Sequence, residues 1–204
     1  MDDKAILHSY LRTRRANLLA KLDGLDEYDV RRPLTPTGTN LIGLVKHVAS
    51  VELGYLGEVF GRPAPMDLPW LDENAEPDAD LWAAADETRE QIIELHQFSA
   101  AHSDATIDAL PLDAPGEVPW WPEERRRVSL HQILVHMCVE TAHHLGHADI
   151  LRELIDGSAG QRPGDPNLTT RTPEEWAAHC ARIDAAARAA ADQVRERPGK
   201  GDEK

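Results

Sequence analysis

Apolar residues recur at the three- and four-residue spacing of an α-helix in five stretches of the chain, separated by segments rich in proline and glycine. The first, from about Lys4 to Asp23, carries Leu7, Leu11, Leu18 and Leu22 at that spacing and meets Gly24 as a stop. The second begins near Thr39 or Asn40 and ends before Gly61. It reads L-I-G-L-V-K-H-V-A-S-V-E-L-G-Y-L-G-E-V-F, apolar around most of its circumference, which predicts a central, well-covered helix. The third is expected from about Asp80 to Leu110, with a fray or kink near His102, Ser103 and Asp104. The fourth has the most explicit start: Ser129 and Gln132 make an S-x-x-Q capping box, Val128 and Ile133 can staple it, and Gly157 marks its far end. A fifth starts at Thr172 and Pro173, with Glu174 and Glu175 in the first turn, where negative charge suits the helix dipole.

No strand alternation and no internal repeat stands out, so the pattern predicts an all-α fold, a four-helix bundle with an additional C-terminal helix. A chain of 204 residues suits one core, and a single helical domain is expected over residues 1–196, with a disordered tail at 197–204.

Composition narrows the function classes. The net charge of -14 repels polyanions, which argues against nucleic acid as a partner, and the short basic run Arg125-Arg126-Arg127 does not reverse that. No uncharged apolar run has membrane-spanning length, and M-D-D-K-A-I-L lacks the layout of a secretory signal, so no membrane association and a cytoplasmic location are expected. The two cysteines, Cys138 and Cys180, form no C-x-x-C pair, and no disulfide framework is expected.

The fourth helix carries the candidate chemistry. V-E-T-A-H-H-L-G-H, Val139 to His147, offers two pairs four residues apart, Glu140 with His144 and His143 with His147; each could meet one ion on one face. Helical phase separates them: relative to the apolar direction set by Leu130, Ile133, Leu134, Met137, Leu145, Leu151 and Ile155, His144 falls roughly 30° away, Glu140 roughly 70°, His147 roughly 90° and His143 roughly 130°. Glu140 and His144 are the inward pair, and His143 points to solvent. A buried carboxylate beside an imidazole is compensated either by a divalent cation or by a hydrogen-bonded pairing that includes Arg152 or Thr141, and the residues leave both readings open. His47, on the flank of the second helix, is the candidate third ligand. Trp120, Trp121 and the three arginines precede the ligand helix; they either wall a pocket or cover the bundle end.

The pairing of G-L-V-K-H-V-A-S-V-E with H-M-C-V-E-T-A-H-H-L-G-H-A-D-I-L-R-E resembles the DinB-like superfamily of metal-binding four-helix bundles, and more narrowly its actinobacterial branch of mycothiol-dependent transferases, over about residues 4 to 157. The resemblance implies His47, Glu140 and His144 as ligands of a divalent metal. Many members use three histidines, and the glutamate at 140 makes the set similar to that of a mycothiol-dependent isomerase. His147 is then an extra ligand or a hydrogen-bond partner of one. Zinc is the expected ion, although the same donors accept nickel, iron or manganese. The implied activity is thiol S-transfer, in which a metal-activated small thiol resembling mycothiol attacks a small electrophile. The alternatives are a non-enzymatic metal-binding or stress-associated bundle and a metal-assisted hydrolase; a homodimer through exposed apolar helix faces is a further expectation.

Overall fold

The computed structural model describes residues 2–162 and 164–196; the predicted tail at 197–204 lies outside the described residues. The chain divides into two compact units, Met1–Asp165 and Pro166–Lys204. The first holds α1 (Asp3–Leu19), a short α2 (Glu27–Arg31), α3 (Leu41–Leu56), α4 (Arg89–Ala109) and α5 (Leu130–Asp156). The second holds α6 (Pro173–Glu196), where Thr172 Oγ1 accepts the Glu175 N–H and the Glu175 carboxylate accepts the Thr172 N–H. The fold is all-α, a bundle with an extra C-terminal helix. Among the described residues no helix is long and apolar enough to cross a membrane.

In the first unit α1 packs on α4 and α5, and α3 packs on the same two, so the four long helices close a bundle. Of the stripe expected on α1 and the turn after it, Leu11, Leu18 and Leu22 are buried and Leu7 is partly buried. On α5, Leu130, Ile133, Leu134, Met137, Leu145 and Leu151 are buried together with Thr141 and Ala148. On α3 almost the whole circumference is covered, Leu41 to Leu56 contributing Ile42, Val45, Val48 and Leu53 to the core. Caps fix where these helices begin: the Asn40 side chain accepts the Gly43 N–H, and Ser129 accepts that of Gln132. Gly157, at φ 78°, adopts the left-handed conformation that ends α5.

Three local expectations are revised. The helix expected from Asp80 starts at Arg89, where Thr88 and Gln91 form a reciprocal capping box. Residues 80 to 88 are irregular: Asn40 and Lys46 take the carbonyls of Leu81 and Trp82, and Arg31 of α2 takes those of Ala83, Ala84 and Glu87. The helix does not fray near His102 to Asp104: α4 is unbroken to Ala109, with Ser103 fully buried and Asp104 hydrogen-bonded to His8 and Arg15. The segment before α5 contains a small antiparallel pair, β1 (Pro115–Glu117) with β2 (Arg127–Ser129), in which Gly116 faces Val128.

The charged groups buried between α1, α3 and α4 are paired. Arg15 donates from Nε to Glu52 at 2.8 Å and from a terminal nitrogen to Asp104 at 2.5 Å, and His8 Nε2 lies 2.8 Å from the same Asp104 oxygen. His96 on α4 lies buried, with no hydrogen-bond partner at Nε2. Burial pushes its pKa down to about 4, and repulsion from Arg15 adds to the shift. Between that value and the ordinary 6.5 the unfolded state binds more protons than the folded one, so stability is full above the upper value and falls as pH drops through the window. The loss across the whole window is about 3 kcal/mol. Urea unfolding of the wild-type protein and of His96→Leu from neutral pH down to pH about 4 should show the wild type losing stability relative to the variant as acid is added; parallel curves would contradict it.

Candidate metal centre

α3 and α5 lie side by side, and their seam brings together three groups from distant segments. His47 comes from α3; Glu140 and His144 come from successive turns of α5. One donor atom from each lies within 4.8 Å of the others. Glu140 Oε1 is 3.0 Å from His144 Nε2 and 3.4 Å from His47 Nε2, and the two imidazole centroids are 4.7 Å apart. All three are partly buried, with side-chain exposures of 17% for His47, 27% for Glu140 and 14% for His144.

The other nitrogen of His47 also meets a carboxylate: Nδ1 lies 2.6 Å from Asp80 Oδ2. Asp80 was not among the residues singled out from the sequence. It sits in the irregular stretch before α4, and α3 holds that stretch in place. Lys46 Nζ donates to the carbonyls of Ala79 at 2.9 Å and Trp82 at 3.0 Å and pairs with Glu87 at 2.7 Å. Asn40 Nδ2 donates to the Leu81 carbonyl at 3.1 Å. The backbone comes so close that a Cβ at Gly43 would lie 1.8 Å from the Leu81 oxygen, so only glycine fits there. The sequence signal that could have pointed here is Lys46, a cation in the most apolar helix of the chain, which has to find acceptors nearby.

A neutral imidazole carries one N–H, yet His47 faces a carboxylate at each nitrogen. Burial lowers its pKa, but the hydrogen bonds with Glu140 and Asp80 outweigh that, and the net shift is upward. Hydrogen bonds from His144 and His47 hold the Glu140 carboxyl far below the usual carboxylate range. In the bare protein, two carboxylates therefore favour a doubly protonated His47. A divalent cation in place of the Nε2 proton satisfies the same groups: Asp80 accepts a hydrogen bond from Nδ1–H, and the Nε2 lone pair faces the ion. Donors 2.0–2.1 Å from a tetrahedral ion stand about 3.3 Å apart, close to the 3.0 Å and 3.4 Å that separate Glu140 Oε1 from the two imidazole nitrogens. Two imidazoles and one carboxylate, with a position left over, form a donor set suited to such an ion.

The remaining candidates lie at the edge. His147 is exposed; its ring centroid is 4.3 Å from that of His143 and 5.5 Å from that of His144, and it is outside the converging trio. His143 is exposed. Trp120 and Trp121 reach the α3–α5 seam, where both indoles contact Tyr55 and Trp121 also contacts His136. Of the three arginines, Arg126 Nε donates to the Trp121 carbonyl at 2.8 Å, while Arg125 and Arg127 are exposed. Cys138 and Cys180 are free thiols.

Replacing Asp80 with Ala should weaken the binding of an added divalent ion such as zinc about 10- to 100-fold, because His47 loses the carboxylate at Nδ1. Gly43→Ala should weaken it in the same direction by pushing Leu81, and with it Asp80, away from α3. Competition for zinc against a chromophoric chelator measures both, and affinities unchanged from wild type would show that Asp80 does not orient His47.

A family model described as mycothiol-S-transferase matches residues 6–157, a span that contains all but the first turn of the bundle and every residue of the centre. No curated protein matches the chain. With three quarters of its length covered, including the helices that carry His47, Glu140 and His144, the chain belongs to the mycothiol S-transferase family of the DinB-like superfamily.

Proposed function

We propose that the protein is a zinc-dependent transferase that joins the sulfur of mycothiol to a small electrophile, with His47, Glu140 and His144 as the metal ligands. The observation that carries this reading is the convergence of those three side chains from two helices, with donor atoms within 4.8 Å of one another, in a chain of this family.

Each residue has a distinct task in the proposal. His47 offers Nε2, because Nδ1 keeps its proton and donates it in a hydrogen bond to Asp80. Glu140 supplies the one anionic donor and stands between the two rings, so it fixes His144 as well as serving the ion. A divalent ion held there supplies a positive charge that lowers the pKa of a thiol, so that the nucleophilic anion forms near neutral pH. With three protein donors, a position stays open for a fourth group, the arrangement of catalytic rather than structural zinc sites. The partial burial of the trio keeps bulk water from screening the charge. His147, at the exposed edge of the trio, is the residue placed to exchange protons with solvent; burial and the neighbouring His143 and His144 lower its pKa, which favours the neutral base.

Elemental analysis of purified protein should give about one divalent ion per chain for the wild type and for His143→Ala, while His144→Ala loses most of it. Consumption of an electrophile should require mycothiol and fall to background in His144→Ala. Turnover without any thiol would favour hydrolysis, and a His143→Ala protein that loses the ion while His144→Ala keeps it would overturn the ligand set.

A further inference from the structure

The metal candidate is one end of a longer polar seam. α3 and α5 meet in antiparallel register: His47 faces His144 with centroids 4.7 Å apart, and Tyr55 faces His136 with centroids 4.5 Å apart. Val51 and Glu140 fall between these two pairs, so Tyr55 sits two turns along α3 from His47, about 12 Å by helical rise.

The hydroxyl of Tyr55 has unusual surroundings. Trp121 Nε1 is 3.0 Å from it and Trp120 Nε1 is 3.3 Å from it. An indole N–H can only donate, so both donate to the Tyr55 oxygen and occupy its two lone pairs. What remains is the hydroxyl's own hydrogen, which meets no acceptor among the described residues. Two donors into one oxygen polarise the O–H bond, so Tyr55 is left as a donor only. Aromatic faces stand around it. Trp121 and His136 lie 5.3 Å apart at 78°, and the His136 ring makes no hydrogen bond among the described residues. Trp120 is 49% exposed, so the cluster opens to solvent. It lies across α3 because residue 54 is glycine, where a Cβ would stand 3.3 Å from the indole. A polarised donor beside flat rings suits a planar, conjugated molecule whose oxygen gains negative charge as it reacts.

We propose that Tyr55 is a catalytic residue on the electrophile side of the site, donating to the carbonyl oxygen of a planar α,β-unsaturated ketone or aldehyde that lies against Trp121 and His136. This inference rests on the thiol-transfer reading and names its substrate class. The thiol first gives its proton to solvent. A C–S bond then forms at the β carbon as the C=C electron pair moves toward the carbonyl oxygen, which takes the Tyr55 hydrogen to become an enol. As the enol relaxes to the saturated ketone, the α carbon takes a proton from water and the enol oxygen returns its proton to the phenolate. One thiol and one enone become one thioether, and no oxidant or reductant is needed.

The test compares two electrophiles with mycothiol as the thiol: benzylideneacetone, an enone that develops charge on oxygen, and benzyl chloride, which expels chloride and has no use for the hydroxyl. Tyr55→Phe, checked for unchanged zinc content and melting temperature, should lower kcat/KM for the enone about 100-fold and alter it less than about threefold for benzyl chloride. Equal losses on the two substrates, or none on either, overturn the role of Tyr55. Turnover of benzyl chloride but not of the enone by the wild-type protein overturns the substrate class, and turnover of neither overturns the transferase reading itself. Should Tyr55→Phe fail to fold, 3-fluorotyrosine at position 55 preserves the contacts and makes the hydroxyl more acidic. The basic limb of the enone pH profile should then move to lower pH while that of benzyl chloride stays in place, and an unmoved enone profile overturns the proposal.

Discussion

A single buried ammonium determines where much of this structure goes. Lys46 emerges from the best-covered helix and is 2% exposed, and an unpaired charge there would cost several kcal/mol. Its acceptors are the carbonyls of Ala79 and Trp82 and the Glu87 carboxylate, and the Trp70 ring lies 4.2 Å from its nitrogen. All of these belong to the connection between α3 and α4. That connection therefore closes on α3, and Asp80, between two of the anchors, arrives beside His47, the next residue in sequence after the lysine. Satisfying a structural charge and orienting a candidate ligand are thus one event.

α3 distributes its polar side chains among its neighbours. Glu52 turns toward α1 and α4, where Arg15 pairs with it and with Asp104; burial raises the pKa of Glu52, and the guanidinium works against that rise. Lys46 turns toward the connection, while His47 and Tyr55 turn toward α5. On the first side opposite charges are matched within the protein. On the α5 side they are not matched so completely, since His47 stands between two carboxylates and Tyr55 keeps a hydrogen unused. Interior polar groups whose capacity the protein does not itself exhaust are where an ion or a substrate has something to satisfy.

The long helices were readable in the sequence because each buries one stripe, and a buried stripe repeats with the helical period. Phase alone placed Glu140 and His144 inward and His143 outward. It could not choose between an ion and a hydrogen-bonded pair, and it left His47 on a flank, because the partner of a flank residue depends on how two helices meet. Asp80 was out of reach for a related reason. Its position follows from a loop shaped by long-range contacts with Asn40, Gly43 and Lys46, and loops carry no period. Reading a helix across Asp80 followed from the same blindness, although Thr88 and Gln91 held the correct start. Tyr55 was hidden by chemistry: in an apolar helix it reads as packing, and only the two indoles aimed at its oxygen distinguish it.

The antiparallel register of α3 and α5 has a consequence for how the chain can change over evolutionary time. Adding or deleting one residue within either helix between its cap and the seam turns every later side chain by about 100° and would scatter the trio. A seven-residue change returns to within about 20° but slides the helix along its neighbour by two turns. The connections ahead of Thr88 and ahead of Ser129 are bounded by caps that reset the phase, so length differences among relatives should collect there. Lineages can then remodel what surrounds the centre while its frame of reference stays put.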